Sequence, residues 1–145
     1  MTNSVPKLAV EVVWFDDDML ELSLSACSAK FSGETSFYAA LDEPAKFAQR
    51  IEGFPRAVDD TREYEFGGDG LHGYGGAKVR LSCKDGSGHL LVHVTVYEAS
   101  NDQSRRATQC ATVEFGSVPA AIDSFVEGLR RMQVQVGDVA ALRHA

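Results

Sequence analysis

Two runs of alternating side chains, AKVRLSC over residues 77–83 and HLLVHVTVY over 89–97, flank the turn Asp85-Gly86-Ser87-Gly88. No other feature of the chain restricts its fold so tightly. Side chains along a strand point to opposite faces with a period of two, so a hairpin with Gly86 and Ser87 at its tip has one register. Lys84 then faces His89, Cys83 faces Leu90, Leu81 faces Val92, Arg80 faces His93, Val79 faces Val94 and Lys78 faces Thr95. Val79, Leu81, Cys83, Leu90, Val92, Val94 and Val96 make one apolar face, while Lys78, Arg80, Lys84, His89, His93 and Tyr97 fall on the other. A sheet with one apolar face needs a cover, and two helical stripes elsewhere in the chain can supply it.

The first stripe lies within KFSGETSFYAALDEPAKFAQRIEGFP, residues 30–55. One strand face runs through Thr35, Phe37, Ala39 and Leu41; Asp42 is the predicted N-cap of a helix, Pro44 fits its first turn, and Phe47 and Ile51 stand one turn apart. Gly53 and Pro55 end it. The second helix starts with Ser117 as predicted N-cap and Pro119 in its first turn, and its stripe is Ile122, Phe125, Val126, Leu129 and Met132. Arg130 and Arg131 suit the negative pole at its end.

Further strands are predicted at LAVEVVWF (8–15) and MLELSLSAC (19–27), around the turn Asp16-Asp17-Asp18, then at 63–66 and in ATQCATVEF (107–115). Residues 67–76, GGDGLHGYGG, carry too many glycines for regular structure and read as a flexible loop. Residues 133–145 form a C-terminal tail compatible with a short strand, a helical turn or a frayed end. The expectation is one globular domain over residues 1–145, of class α+β: a mostly antiparallel sheet of about six to seven strands with two helices packed on one face.

Composition narrows the function. With 14 Lys and Arg against 21 Asp and Glu, the formal net charge of -7 repels a phosphate backbone, so nucleic acid is not an expected partner. No apolar run approaches the roughly 20 residues that span a bilayer, and the start MTNSVPK lacks an apolar signal segment, which predicts a cytoplasmic protein without membrane contact. Cys27, Cys83 and Cys110 are odd in number, far apart and free of C-x-x-C spacing, so they read as reduced structural thiols.

The tempting motifs each lack the context their chemistry requires. GDGLHG (68–73) matches G-x-G-x-x-G, but a strand-like run follows it where a dinucleotide site needs a helix. His89 and His93 would chelate a metal on a helix; on a strand they stand roughly 13 Å apart. Asp16, Asp17 and Asp18 begin no calcium-loop ligand series. No catalytic residue, cofactor or metal site is therefore predicted.

Arg80, His93 and Tyr97 on the open sheet face resemble interface composition more than ordinary solvent-facing Lys and Glu, and form the first candidate partner-binding set. Asp59, Asp60, Glu63, Glu65 and Asp69 form a second, acidic set suited to a basic partner. Two other function classes fit the same chain. One is a small-ligand module or hydrolase whose glycine loop covers a pocket near His72 and Tyr74; the other is an assembly protein that oligomerises through a sheet edge.

Three segments taken in order, FSGETSFYAALDEPAKFAQRI, GHLLVHVTVY and ATVEFGSVPAAIDSFVEGLRRM, resemble small bacterial immunity proteins of the kind associated with the wall-associated toxin protein WapI. The resemblance spans most of the chain and rests on the turn Phe31-Ser32-Gly33, the acidic helix start at Asp42, the Gly88-His89 strand opening and the closing amphipathic helix. It implies a non-enzymatic cytoplasmic protein, monomer or homodimer, that binds a cognate toxin domain and blocks it. The long loop at 67–76 departs from that pattern, and no binding residue is carried over from it.

Overall fold

The computed structural model describes residues 5–67, 75–98 and 109–143. Among them, eight strands and two helices run in the order β1 (Lys7–Phe15), β2 (Met19–Cys27), β3 (Ser32–Ala40), α1 (Glu43–Ile51), β4 (Thr61–Phe66), β5 (Gly75–Cys83), β6 (Leu90–Glu98), β7 (Gln109–Ser117), α2 (Pro119–Arg131) and β8 (Val139–Arg143). The class is α+β and every strand pair is antiparallel, as expected. The structure adds that the strands divide into two four-stranded sheets, sheet A in the order β3-β2-β1-β8 and sheet B in the order β4-β5-β6-β7.

β3 divides the two sheets and also joins them. It pairs with β2 along its length and lies against β5, β6 and β7, while the helices close the other side: α1 against α2 and β4, and α2 against β8. The inner faces of both sheets and the apolar stripes of both helices share one hydrophobic cluster, in which Leu8, Leu22, Phe37, Phe47, Val92, Ile122 and Phe125 are each at most 2 % exposed. Phe47 sits at the meeting point of the layers, with ring contacts to Tyr64, Phe66 and Phe125 at centroid distances of 5.0, 5.0 and 5.6 Å.

The hairpin register matches the alternation argument at every pair from Lys78↔Thr95 to Cys83↔Leu90, and the Lys84 amide donates to the His89 carbonyl at 2.8 Å. At its tip the Asp85 carboxylate accepts from the Ser87 amide at 2.7 Å, and Gly88 takes φ +88°, a conformation that favours glycine. The ordering of the first hairpin is similar: Asp16 Oδ1 accepts from the amides of Asp18 and Met19.

Three local readings are corrected and one left open is decided. Asp42 is the N-cap of α1, as expected, but its carboxylate makes no cap bond and instead faces Lys46 Nζ at 3.5 Å. Ser117 belongs to β7; Val118 is the N-cap of α2, and the buried Ser117 hydroxyl donates to the Arg143 carbonyl at 3.0 Å, tying β8 to β7. Within the tail left open by the sequence, residues 139–143 form β8, which pairs with β1 from Lys7↔Arg143 to Glu11↔Val139. Gly75 and Gly76 belong to β5 rather than to a loop. A Cβ on Gly75 would lie 2.8 Å from the Ser36 carbonyl, and one on Gly76 would lie 2.6 Å from both the Phe66 carbonyl and the Tyr97 ring. These glycines permit close approach of chain to chain, which composition alone reads as flexibility.

Candidate functional site

Sheet B turns its apolar side to the core and its other side outward, where no described segment lies over it. The pairings arrange the outward side chains in rows across the strands: Thr61, Ser82, Leu91, Gly116; then Glu63, Arg80, His93, Glu114; then Glu65, Lys78, Thr95, Thr112; and at the end Gly76, Tyr97, Cys110. The rows follow from the period-two pleat and from registers that three successive pairings hold in phase.

The second row brings together residues from both predicted sets. Arg80 Nε stands 3.9 Å from Glu63 Oε1, and Lys78 Nζ stands 3.5 Å from Glu63 Oε2. On the other side of the row, His93 Nδ1 is 2.7 Å from Glu114 Oε1. The four side chains of the row are 38–54 % exposed, so these pairs are solvated and individually weak. Their value is geometric: the register of three strand pairings holds the alternation acid, base, imidazole, acid in one row across four strands. A Thr95–Thr112 hydroxyl contact at 3.3 Å continues the polar surface.

Tyr97 has a structural role beside its place on the outer face. Its ring lies over Gly76 on the neighbouring strand, and its hydroxyl reaches the Phe66 carbonyl and the Glu65 carboxylate, both at 3.5 Å. An aromatic ring over a cross-strand glycine fills the space the missing side chain leaves, so Tyr97 supports the sheet as well as bordering the site.

The acidic set separates. Glu63 and Glu65 project from β4 onto the outer face beside Lys78 and Arg80, whereas Asp59 is exposed on the turn before β4. Asp60 is a structural acid. Its carboxylate takes a bidentate grip from Arg62, with Nε to Oδ1 at 3.1 Å and Nη2 to Oδ2 at 2.9 Å, and also accepts the Arg56 amide at 2.9 Å. The Arg62 bonds first, and the Arg56 amide second, hold this carboxyl below its usual range. Asp69, His72 and Tyr74, with the GDGLHG motif, lie outside the described residues.

His89 and His93 turn to separate carboxylates, Asp85 in the hairpin turn at 2.8 Å and Glu114 on β7 at 2.7 Å. Cys27 and Cys83 each donate to a backbone carbonyl, of Val5 and Ala57, and Cys110 is exposed at the end of its row. Among the described residues no three His, Cys, Asp or Glu side chains gather as a metal site would require, and no helix is long and apolar enough to cross a membrane.

Glu114 was missed from the sequence because the register of β7 on β6 is set across a long connection, whereas the turn at Asp85 sets that of β5 on β6. Comparison with protein-family models, with curated proteins and with solved structures finds no match to this chain.

Proposed function

We propose that this chain is a non-enzymatic protein-binding module whose partner docks on the outer face of sheet B. The row Glu63–Arg80–His93–Glu114 supports this reading: a guanidinium and an imidazole flanked by carboxylates, half exposed, stand on a four-stranded surface with nothing described above it. Charges arranged this way favour a partner of complementary pattern and penalise others, which gives specificity more than affinity. The partner is a cognate bacterial toxin domain, the class that the sequence resemblance implies. The net charge of -7 would speed its encounter with a basic toxin.

The test is to search the genes flanking this one for a polymorphic-toxin domain and co-express it with this chain, followed by titration calorimetry of the purified pair. Growth should be rescued by the wild-type chain. Arg80→Ala together with His93→Ala should weaken binding by about 2 kcal/mol, roughly thirtyfold, with the circular dichroism spectrum unchanged. Tyr97 is left intact in that variant because its ring supports Gly76. A folded double variant that binds as tightly as wild type would remove the outer face of sheet B as the docking surface, and failure of the wild-type chain to bind or rescue would remove the toxin partner.

A further inference from the structure

On the opposite side of β4 from the acidic residues Glu63 and Glu65, a groove of about 590 Å3 is lined by Lys46, Gln49 and Arg50 of α1, Arg56 of the following turn, and Arg62 and Tyr64 of β4. Four of the six lining residues are cationic and none is acidic. In a chain where acids outnumber bases 21 to 14, composition does not account for such a surface.

Most nearby acids already hold a partner. Asp60 is held by Arg62, Glu52 takes both Arg130 amino groups at 2.8 and 3.0 Å, Glu43 accepts the Tyr64 hydroxyl at 2.8 Å, and Glu63 faces Lys78 and Arg80 across the sheet. Asp42 meets Lys46 only loosely, at 3.5 Å with both side chains more than half exposed.

The cations divide into framework and free donors. Arg62 is framework: besides gripping Asp60, its Nη1 donates to the carbonyls of Arg50 and Glu52 at 3.0 and 3.2 Å, and its guanidinium lies 5.6 Å from the Phe54 ring centroid. It thereby joins the end of α1 to the turn that carries Arg56. Arg50 is fixed through Nε, which donates to the Glu63 carbonyl at 3.1 Å, leaving its terminal amino groups without a bond among the described residues. The Arg56 amide is pinned to Asp60, and its guanidinium is attracted to that carboxylate but makes no hydrogen bond among the described residues. Two guanidinium groups with N–H donors free of hydrogen bonds among the described residues, on one braced groove with an ammonium and an amide beside them, exceed what a single carboxylate can satisfy. A phosphate dianion, with three or more acceptor oxygens, matches that donor set.

We propose that this groove binds a small phosphate-bearing anion, with Arg50 and Arg56 as its principal donors and Lys46 and Gln49 completing the set. The site is separate from the proposed docking face and does not depend on it.

The probe is pyrophosphate, titrated into the purified chain by calorimetry and by amide chemical-shift mapping, with sodium chloride at matched ionic strength as control. Saturable binding is expected, with shifts confined to residues 42–64. Arg56→Gln, whose side chain makes no described bond in the fold, should lower affinity about tenfold or more. Arg80→Ala, on the other face, should leave it unchanged, which separates this result from the fate of the docking surface. Shifts reproduced by sodium chloride, or undiminished binding by folded Arg56→Gln, would overturn the site. A tetraglutamate peptide binding as tightly as pyrophosphate would overturn its assignment to phosphate.

Discussion

Replacing Phe125 by alanine tests whether α2 closes the core. Its side chain is 1 % exposed and meets the Phe47 ring edge-on, at 5.6 Å and 79°, so it is the aromatic contact through which α2 touches α1. Burial of a phenyl ring contributes about 2–3 kcal/mol by transfer. The edge contact adds about 0.5–1.5 kcal/mol. Because helices packed against two sheets cannot collapse fully onto the space left, a loss of about 3–5 kcal/mol is expected. For a chain of this length that lowers the melting temperature by roughly 6–20 °C. His93→Ala is the matched control: its side chain is 38 % exposed and its one described bond goes to an exposed carboxylate, so a loss of about 0–1 kcal/mol is expected. Urea titrations followed by circular dichroism give both values, provided the slopes are unchanged. Equal losses in the two variants would refute the assignment of inner and outer faces on which the candidate site depends.

Gly76→Ala should cost about 1–3 kcal/mol, because the new methyl meets the Phe66 carbonyl as well as the Tyr97 ring; a denaturant midpoint equal to wild type would show that β4 and β5 have room to spare. Asp60→Asn should cost about 1–2 kcal/mol at pH 7 through the weakened Arg62 grip. The Asp60 carboxyl titrates lower in the folded chain than when unfolded, so its contribution is present above pH ~4 and is lost as the pH falls through the folded value. Stability curves of wild type and variant should therefore converge in acid, and a gap that stays constant from pH 7 to 3 would contradict this. Deleting residues 133–145 removes β8, uncovering the edge of β1 and the α2 contact with Ala140. Loss of a cooperative thermal transition is expected, and a melt like that of the full chain would show β8 to be dispensable.

The hairpin of β5 and β6 was legible because every determinant of its register lies within about twenty consecutive residues, and alternation then assigned Val79, Val92 and Val94 to the core and Arg80 and His93 to the outside. The apolar stripes of both helices were legible for the same reason: Phe47 with Ile51, and Ile122 with Phe125, Val126 and Leu129, are spaced by the helix repeat itself. Capping was less legible. Asp42 and Ser117 both have the chemistry of an N-cap, but each side chain has more than one available partner, and Lys46 and the Arg143 carbonyl won.

Local patterning by itself determined where seven of the strands and both helices lie and which side of the β5–β6 hairpin and of each helix faces the core, since both are periodicities of the backbone, whereas β8 and the glycine start of β5 carry no such pattern. Only the tertiary structure decided how the strands are shared between two sheets. That choice rests on contacts between distant residues: Gly33 lets β3 approach Val96 and Ala111, and the Thr35 hydroxyl donates to the Tyr97 carbonyl at 2.9 Å. The same holds for both candidate surfaces. Glu63, Arg80, His93 and Glu114 come from four strands, and Lys46, Arg50, Arg56 and Arg62 from a helix, a turn and a strand, so each set forms only after chain segments with no periodic relation have packed.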